Sequence, residues 1–589
     1  MKLNLHIYCV IAALAVSACC ASGNGYPADD IRISWDGSSY QELSELTLRD
    51  GTPSLNLYYP RVKRLSDGTL LMSYMDDHYG WNSFVAKSYD NGKTWTDAQC
   101  IRHMHPAVST VGDDMVVFVN PDFIELQDGR IMLAHQWRYK AGYNDLPHTN
   151  ENCGIEVMFS PDKGLSWTEA REVYRGRCWE PAMLQLPSGE IQMYITDSQN
   201  VVDKMSCPKT VVIRSFDGGA TWQGKSSCTW KDVEGISHTR DDRFGYDGMP
   251  SGVRLDDGMI AVPLEVWSGK YVVDVTPVVV KTTAEDNWNL DQEKLLAEGG
   301  PDYPAKKQVN KDFHGYGPYS ARLDSGEMLI LSNGNYKGRS GVWVFVGDKH
   351  ADNFHHATRP FDGYWGCIDY IGNNEVFASG TLRYSDEGTT RGRLHLMKGR
   401  VNRSMEIARG GLEMPALESF KPDASWWFLG KRFPSAVYSS LGYTADALEF
   451  GALVFDEKIS VYTVENSDAA VLQFARGENV YKVAVNAEGR WNLYELERWS
   501  WHLIGSGDDA TVQLAATIDA DGDEDLGFSA KVSIPWSKIG GRPRRGETLK
   551  AHPCRMYKKA SAEKPAAIFE ELEGENGDYP CEWLNVTLK

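Results

Sequence analysis

The stretch Cys178 to Thr196, CWEPAMLQLPSGEIQMYIT, decides how the rest of the chain is interpreted. Two apolar arms flank the turn Pro187-Ser188-Gly189, which is the pattern of a β-hairpin with a short, glycine-ended turn. Glu180 stands at the entrance of the first arm. Pro181 disfavours helical backbone at the residue before it, so we expect Glu180 in extended conformation. The pattern therefore places one acid at the open end of a hairpin, where the first arm starts and the second ends.

This hairpin pattern recurs between residues 55 and 400. A leucine or isoleucine followed by a tight polar turn appears as LSDG (65–68), LQDG (126–129), LPSG (186–189), LDDG (255–258), LDSG (323–326) and IGNN (371–374). Apolar, β-prone arms flank each turn, and five of the six turns end in glycine. A four-stranded unit repeated six times predicts a six-bladed β-propeller. We expect residues 31–48 to supply the outer strand of the last blade.

A second motif follows three of the hairpins. It reads SYDNGKTW (88–95), SPDKGLSW (160–167) and SFDGGATW (215–222), and resembles the turn known as the Asp box. Asp90, Asp162 and Asp217 can accept hydrogen bonds from the turn backbone. These turns join the outer two strands of a blade, so we expect them to be structural and to lie at the end opposite the site. With them, the 31–400 span resembles the sialidase-type propeller superfamily.

The C-terminal region has a different sequence pattern from the hairpin repeat. Alternating strands without Asp boxes predict a β-sandwich over 412–589, whereas the propeller is expected to span 31–410. YKVAVNAEGRWNLYE, SIPWSKIG, RPRRGE and CEWLNVTL resemble the family-nine-like carbohydrate-binding modules. Trp491, Trp501 and Trp583 are candidates for stacking on sugars, although we expect Trp583 and Trp536 in the core. Asp519 to Asp525 could bind calcium, but a solvated acidic loop is favoured.

The N-terminus reads as a short targeting segment. Lys2 is followed by an apolar core too short to span a bilayer, and Val16-Ser17-Ala18-Cys19 resembles the lipobox of bacterial lipoproteins. We expect a signal peptide over 1–19, lipid attachment at Cys19, a tether over 20–30 and an outer-membrane location; an ordinary secretory signal is the alternative. In such an oxidising compartment Cys207/Cys228 and Cys153/Cys178 are plausible disulfides, although the sequence leaves the pairing open.

Composition narrows the class of partner. The chain has 589 residues, 42% hydrophobic and 24% charged, which is typical of a folded soluble protein. Its net charge of −20 argues against nucleic acid as a partner, and any attraction for anionic substrates would have to be local. No cysteine or histidine spacing indicates a metal site, so we expect neither a metal nor an organic cofactor.

The repeat predicts where the chemistry lies. The starts of first strands and the ends of second strands meet at one axial mouth, and there carboxylates, amides and aromatic rings describe a sugar pocket. Glu180 and Glu265 come from neighbouring blades and form the carboxylate pair that glycoside hydrolysis needs. The substrate-binding candidates are Arg61, Asp77, Asn120, Trp137, Arg138, Trp179, Asp247, Trp267, His314, Tyr316 and Tyr364.

A resemblance sharpens this prediction. YPRVKRLSDGTLL, NPDFIELQDGRI, WEP with LPSGEIQMY, and GMPSGVRLDDG followed by LE resemble, in order, the exo-α-1,5-arabinanase family of propeller glycosidases. The resemblance covers four of the six blades. It implies a retaining glutamate pair at Glu180 and Glu265, an exo-acting hydrolase and an arabinan substrate. We first assign Glu180 as the nucleophile and Glu265 as the acid/base.

Two alternatives stay open. A sialidase would use a tyrosine nucleophile, an acid and three arginines that clamp the substrate carboxylate. Tyr364, Asp76 or Asp77, Arg61 and Arg339 could fill those roles, but no third arginine is obvious. The protein could also be a glycan-binding lipoprotein without catalysis, in which Glu180 and Glu265 only bind hydroxyls or Arg61.

Overall fold

The structure is a computed structural model that describes residues 31–589 except 79, 200, 203–204, 207, 224–233, 236–245, 268–274, 286, 289–307, 387, 431–435, 457, 517–525, 558–567 and 573–579. The described residues form β-strands and seven short 3₁₀-helices and contain no α-helix, which confirms the all-β prediction. No helix in this part of the chain could cross a membrane. The 3₁₀-helices are Gly37–Ser39, Gly142–Asn144, Thr149–Glu151, Leu417–Ser419, Val464–Asn466, Trp536–Lys538 and Pro580–Glu582.

The chain forms two compact units. The larger unit comprises Ser39–Gly372 and Val376–Met397, and the smaller unit comprises the described residues up to Ser38, Asn373–Glu375 and Lys398–Lys589. The predicted domain boundaries, with the leader and tether outside the described residues, stay predictions. The first strands are β1 (Ile31–Trp35), β2 (Gln41–Leu43) and the hairpin β3 (Glu45–Thr47) with β4 (Pro53–Leu55).

Six antiparallel sheets follow along the chain, named sheets 1 to 6 in order. Sheet 1 holds β5 (Leu57–Arg64), β6 (Leu70–Asp76), β7 (Ser83–Ser88) and β8 (Thr96–Arg102). Sheet 2 holds β9 (His105–Ser109), β10 (Gly112–Glu125), β11 (Ile131–Tyr139), β12 (Cys153–Ser160) and β13 (Arg171–Arg175). Sheet 3 holds β14 (Cys178–Gln185), β15 (Ile191–Asp197), β18 (Lys209–Ser215) and β19 (Glu234–Gly235), beside a ribbon of β16 (Val201–Val202) and β17 (Met205–Ser206).

The remaining three sheets keep the pattern. Sheet 4 holds β20 (Tyr246–Gly248), β21 (Val253–Arg254), β22 (Ile260–Trp267) and β23 (Thr276–Thr282). Sheet 5 holds β24 (Phe313–Arg322), β25 (Met328–Tyr336), β26 (Arg339–Val346) and β27 (His355–Thr358). Sheet 6 holds β28 (Tyr364–Gly372), β29 (Glu375–Asp386) and β30 (Thr389–Arg403), and β30 also pairs with β2 and, over 399–403, with β1.

The tight turns that the sequence indicates close the hairpins of these sheets. In the five glycine-ended turns the glycine N–H donates to the carbonyl of the leucine three residues before it. The glycine φ lies between 86° and 105°, a region that residues with a Cβ rarely adopt. The turn glycines are Gly68, Gly129, Gly189, Gly258 and Gly326.

Apolar side chains join each sheet to the next in a cycle. Leu71 and Val85 of sheet 1 share a core with Phe123 of sheet 2, and further shared cores join sheet 2 to 3, 3 to 4 and 4 to 5. Strand β28 of sheet 6 contacts both β24 and β5. Phe377 and Leu394 of sheet 6 lie in one core with Leu70 of sheet 1. This cyclic order is what a six-bladed propeller requires, and the propeller remains our interpretation of it.

Three Ser-x-Asp-x-Gly turns lie beside the hairpin turns. In the first, Ser88 donates to Asp90, and Asp90 accepts the Thr94 N–H at 2.8 Å. The turns at Asp162 and Asp217 have the same bonds. Lys163 of the second turn donates to Ser66 and to the Gly129 carbonyl, which both belong to hairpin turns. These contacts place that turn at the hairpin-turn end of the sheets.

The smaller unit has two sheets around one core. The larger sheet has the order β31-β43-β41-β35-β36-β37-β38 with β42 on β41, and the second has β32-β33-β34-β40-β39. Phe450 and Val532 of the second sheet pack with Leu472 and Val483 of the first. Trp536 and Trp583 are buried as predicted, and Asp519 to Asp525 lie outside the described residues. The strands are β31 (Met405–Ile407), β32 (Trp427–Leu429), β33 (Ala436–Tyr443), β34 (Ala447–Phe455), β35 (Ala469–Arg476), β36 (Asn479–Asn486), β37 (Trp491–Glu497), β38 (Ser500–Gly507), β39 (Thr511–Ala515), β40 (Gly527–Pro535), β41 (Thr548–Tyr557), β42 (Ile568–Glu571) and β43 (Leu584–Leu588).

Candidate active site

In each of sheets 1 to 6, one residue with positive φ interrupts a strand: it lies in β5, β10, β14, β24 and β28, and in sheet 4 between β20 and β21. The pairing register shifts at this point in β5, β10, β14 and β24, which is the signature of a β-bulge. Five of the six residues precede a proline. We call them the bulge residues: Tyr59, Asn120, Glu180, Met249, Gly317 and Trp365, with φ between 42° and 63°.

The prediction that Glu180 is extended is therefore wrong, because its φ is 42°. A following proline disfavours the right-handed helical region, but a bulge can instead use the left-handed region. Such a conformation is costly for a residue with a Cβ, and strained residues of this kind cluster at functional sites. The bulge interrupts the regular alternation of side chains between the two faces of β14 at Glu180.

The backbone N–H of a bulge residue ties its sheet to the preceding one. In five of the six sheets it donates to a side chain on the second strand of the sheet before, and we call that side chain the latch residue. The pairs are Tyr59 to Thr381 at 3.0 Å, Asn120 to the Met75 sulfur at 3.4 Å, Met249 to Thr196 at 3.0 Å, Gly317 to Glu265 at 2.8 Å and Trp365 to Asn333 at 3.0 Å. Among these five latches only Glu265 carries an ionisable side chain.

Glu180 and Glu265 thus occupy two positions that the repeat defines, one a bulge and the other a latch. The pKa of Glu180 is raised to about 8, first by burial and then by the charge of Glu265. Hydrogen bonds from the Thr196 hydroxyl and the Met249 N–H, and the charge of Arg61, oppose that rise. The strand pairing accounts for this interaction: Glu265 pairs with Gly248, and the next residue, Met249, donates its N–H to Thr196, which pairs with Trp179 beside Glu180.

Glu265 holds its proton less tightly. Burial, followed by the charge of Asp247, raises the pKa of Glu265 to about 7, while the hydrogen bond from the Gly317 N–H lowers it. Asp247 is fully buried and accepts the Thr210 N–H at 2.6 Å. Both carboxyls therefore bind a proton more tightly than a free glutamic acid does, and the pair can hold one proton near neutral pH. Two interacting carboxyls with separated pKa values can act as an acid and a base.

A cavity lies in front of Glu180, where the first strands of five sheets meet. It is lined by Tyr59, Arg61, Asp122, Glu180, Pro181, Ala182, Met249, Pro250, Pro318 and Tyr319. Arg61 is buried between two rings, with its guanidinium carbon 3.7 Å from the Tyr59 centroid and 4.7 Å from the Tyr319 centroid. Its Nη1 donates to the carbonyls of Pro60, Trp365 and Gly366. Its Nε has no hydrogen-bond partner, so Arg61 both closes the cavity and keeps one donor available.

Asp122 supplies a second carboxyl group to this cavity, beside that of Glu180. Lys63 pairs with it at 2.8 Å, and the Tyr319 hydroxyl donates to it at 2.9 Å. Below this group, burial raises the pKa of Asp369 to about 6, although Lys63 lies nearby. The wall around Glu180 thus combines fixed hydrogen-bonding groups with aromatic rings, as expected for a site that binds sugar hydroxyls and faces.

Aromatic side chains of sheets 6 and 1 lie together beside the cavity residue Tyr59. The Trp365 ring stacks on His78 with centroids 5.0 Å apart, and Tyr364 meets Trp365 edge-on at 4.9 Å. The Arg383 guanidinium lies over Tyr364 at 5.0 Å and contacts His78. Trp365 also packs against Tyr59. Tyr364 is therefore near the site, and Arg383 was not anticipated from the sequence.

A second aromatic cluster precedes Glu180 in sheets 2 and 3. Trp179 meets the edge of Tyr143 at 5.2 Å. Arg138 lies over Tyr143 at 4.7 Å and over Trp179 at 4.8 Å, and Arg177 donates to the Tyr143 hydroxyl. The structure therefore joins the predicted residues Arg138 and Trp179 next to Glu180.

The remaining described residues that were predicted to bind substrate do not line the cavity around Glu180. Trp137 packs in its own sheet beside Tyr139 and under Arg175, so it does not line the cavity. The Asp77 carboxylate is 3.4 Å from the Asn56 amide. Asn120 is a buried bulge residue whose Oδ1 has no hydrogen-bond partner, as suits a group that accepts from a ligand. His314 and Tyr316 are exposed on β24. The Trp267 side chain and Cys19 lie outside the described residues.

Sequence reasoning missed the residues that hold the pair in place. Thr196 and Gly317 contact Glu180 and Glu265, yet neither was a candidate. One signal could have found Thr196: it pairs with Trp179, directly before the bulge, and Glu265 pairs with Gly248 in the same relation to Met249. The same repeat position therefore yields both a latch hydroxyl and a latch carboxyl.

Comparisons with known proteins place the repeat in a family context. Residues 26–263 match the model of the BNR repeat-like domain. No curated protein sequence matches the chain. Three similar solved structures are a protein of unknown function from Dyadobacter fermentans (15% identity, 63% of this chain, 98% of that chain, TM-score 0.42), an α-L-arabinanase from Penicillium chrysogenum complexed with arabinobiose (16%, 61%, 98%, 0.39) and a mutant sialidase from Streptococcus pneumoniae (11%, 61%, 70%, 0.41).

Proposed function

We propose that this protein is an exo-acting glycoside hydrolase in which Glu180 and Glu265 form the catalytic pair. One observation carries the proposal: two carboxyls from neighbouring sheets interact, and both have a raised pKa. Such a pair suits glycoside hydrolysis, where one carboxyl donates a proton while the other carries negative charge. The BNR repeat-like match over residues 26–263 supports the same class of enzyme.

The order of the two pKa values favours a definite division of roles. Glu180, with the higher pKa, would protonate the glycosidic oxygen as the bond to the leaving group breaks. Glu265, ionised first, would attack the anomeric carbon and form a glycosyl ester. Water, deprotonated by Glu180, would then hydrolyse that ester with overall retention. This order favours the reverse of the assignment made from the sequence.

The charges around the cavity favour a neutral sugar. Asp122 lines the cavity and Glu265, next to Glu180, would be ionised in the active pair, whereas Arg61 is the only arginine among the described residues that line the cavity. Its Nη1 already donates hydrogen bonds to three backbone carbonyls. A sialic acid carboxylate would need several arginines with free donors. We therefore favour a substrate with a neutral sugar at its chain end over a sialoglycan, with α-L-arabinan as the leading candidate.

One experiment separates these possibilities. Wild-type protein, Glu180→Gln and Glu265→Gln are incubated with arabino-oligosaccharides and with a sialyl substrate, and released sugar is quantified. We expect wild type to release arabinose-containing product from chain ends and both variants to lose at least about 10³-fold in kcat. Glu169→Gln, which changes an exposed acid, is the matched control. Unchanged turnover in both pair variants would reject the pair, and sialic acid release would favour the sialidase alternative.

The roles of the two glutamates need a second measurement. On an aryl arabinoside, a good leaving group makes proton donation unnecessary in the first step. Azide should then accelerate Glu180→Ala and give an arabinosyl azide of retained configuration, because this anion attacks the glycosyl ester without the general base that water needs. Glu265→Ala should give the inverted azide. The opposite pattern would restore the first assignment. Wild-type protein that binds arabino-oligosaccharide without any turnover would indicate the non-catalytic glycan-binding alternative.

We also propose export as an outer-membrane lipoprotein with Cys19 as the acylated residue, and a glycan-binding role for the smaller unit. The lipobox-like Val16-Ser17-Ala18-Cys19 supports the first. Trp501 of β38 supports the second, because it is partly exposed beside Tyr494 and Lys482. Labelled fatty acid should be incorporated into wild type and not into Cys19→Ala. Trp501→Ala should weaken polysaccharide retention, with Trp499→Ala, at another exposed tryptophan, as the control.

A further inference from the structure

Two buried cysteines lie side by side next to Glu180. Cys153 starts β12 of sheet 2, and Cys178 starts β14 of sheet 3, two residues before Glu180. Their sulfurs are 3.8 Å apart, and neither side chain is exposed to solvent. Cys153 and Cys178 are both thiols in the structure, as are Cys100 and Cys367, but only the first two have their sulfurs in contact with each other. The Cys153 and Cys178 thiols are therefore a distinct pair.

We propose that Cys153 and Cys178 form a disulfide that fastens the strand carrying Glu180 to the neighbouring sheet. The sulfurs are already in contact, and a bond needs them to approach to about 2.05 Å. The two cysteines belong to different sheets, so the bond would join two β-sheets beside the reactive centre. The proposal does not rest on the proposed function, since it concerns the covalent state of the chain.

The surroundings of Cys153 favour the exchange chemistry. The Gln136 amide donates to the Cys153 sulfur at 3.2 Å. Burial raises the pKa of the Cys153 thiol, but hydrogen bonds with Cys178 and the charge of Arg138 outweigh it and the pKa is lowered overall. A thiolate is the species that attacks a disulfide. Cys153 is therefore the better nucleophile of the two.

The reaction balances with a low-molecular-weight disulfide such as oxidised glutathione. The Cys153 thiolate attacks one sulfur of the oxidant, and the first glutathione leaves with its bonding electron pair. Cys178, after losing its proton, attacks the mixed disulfide at Cys153 and releases the second glutathione. The two cysteine protons end on the two glutathione thiols, so two thiols are oxidised and one disulfide is reduced. Because both sulfurs are buried, we place the exchange during folding.

The test maps thiols in the full-length protein. Protein refolded in a glutathione redox buffer is denatured with iodoacetamide and no reductant, digested and analysed by mass spectrometry. We expect a peptide that links Cys153 to Cys178 and is lighter by two hydrogens than the summed peptides, with Cys100 and Cys367 alkylated. Recovery of alkylated Cys153 and Cys178 would overturn the proposal whatever the enzyme does.

A stability measurement extends the test to variants. Wild type refolded in dithiothreitol should melt about 5 °C lower than wild type refolded in the glutathione buffer without it, because the link closes a loop of roughly 25 residues. Cys178→Ala should melt at the same temperature with and without the reductant. Cys367→Ser, at an unpaired buried thiol, should keep the wild-type response. Equal melting of wild type with and without reductant would contradict the proposal, even if Cys178→Ala fails to fold.

Discussion

At the scale of single residues, the two glutamates predict the pH dependence of catalysis. The pKa of Glu265 is about 7 and that of Glu180 about 8. As the pH falls through about 7 the nucleophile becomes protonated, and as it rises through about 8 the proton donor becomes ionised. We expect kcat/KM to follow a narrow bell with an optimum between about pH 7 and 8. An optimum near pH 5 would contradict this order of proton binding.

Thr196 is a positioning residue for Glu180. It accepts the Met249 N–H and hydrogen-bonds the carboxyl of Glu180. Thr196→Val keeps the shape but removes the hydroxyl, so we expect kcat to fall about tenfold. Because that hydroxyl lowers the pKa of Glu180, the alkaline limb of the pH profile should move to higher pH.

Two variants separate positioning from packing at this position. Thr196→Ser restores the hydroxyl and should restore most of kcat and the wild-type alkaline limb. Thr210→Val, in the same sheet, removes a buried hydroxyl that has no hydrogen-bond partner and should leave both unchanged. If Thr196→Val lowers stability but moves neither kcat nor the pH profile, its role is structural only.

At the scale of elements, the Ser-x-Asp-x-Gly turns stabilise the sheets without serving the site. Asp217 accepts bonds from Ser215 and from the N–H and hydroxyl of Thr221. Asp217→Ala removes all three, and we expect the melting temperature to fall by about 3 °C with kcat unchanged. Asp312→Ala, at an exposed acid of the larger unit, is the control. A loss of kcat at full stability would contradict a structural role.

The same turn gives a pH dependence of stability. The Thr221 hydroxyl and N–H hold the pKa of Asp217 down at about 2, below its usual value. A carboxyl with a lowered pKa stabilises the fold above the pKa of the unfolded chain, and this contribution disappears as the pH falls towards 2. The difference in melting temperature between wild type and Asp217→Ala should therefore be full at pH 6 and shrink below pH 4.

The elements show what a sequence can and cannot reveal. The hairpin turns were predictable, because a glycine such as Gly189 signals its turn through local conformation. The backbone of Glu180 was not, since Pro181 excludes one region of φ without selecting the bulge. Thr196 was harder to find, because its partner Met249 lies 53 residues away on the next sheet and only its place opposite Trp179 in the hairpin marks it. Trp137 was misplaced because an aromatic residue at a strand end suits a sugar site and a packed sheet equally.

At the scale of the whole molecule, the smaller unit depends on residues from the start of the chain. In strand β1, Ile31, Arg32, Ile33 and Trp35 are fully buried, and the strand pairs with residues 399–403. Asn402 in turn exchanges two hydrogen bonds with Phe428 of β32.

A fragment of residues 412–589 lacks β1, residues 399–403 and β31, which pairs with β43. We expect it to unfold at a temperature about 10 °C lower than residues 398–589 supplied with residues 31–38, because a buried strand and its pairing are lost. Thermal unfolding by circular dichroism measures this difference. Equal stability would show that β1 and residues 399–403 are dispensable for the smaller unit.

The latch position of Glu265 predicts a stability effect across the larger unit. Glutamine at 265 can still accept the Gly317 N–H, and four other latches are neutral. A raised carboxyl pKa makes ionisation costly in the folded state, so wild type loses stability as the pH rises from about 4.5 through 7. Glu265→Gln should melt higher than wild type by a few degrees at pH 8 and by little at pH 4.

Glu265 thus links two neighbouring sheets and also belongs to the proposed catalytic pair, and these two roles place opposite demands on its side chain. Natural selection for turnover would keep Glu265 although its ionisation lowers thermal stability, whereas selection for thermal stability alone would replace it with glutamine. A relative that carries glutamine at the position of Glu265 should accordingly be thermally stable and should not hydrolyse glycosides. The matching sites at Thr381, Asn333 and Thr196 are where a designer could install a new acid without rebuilding the scaffold.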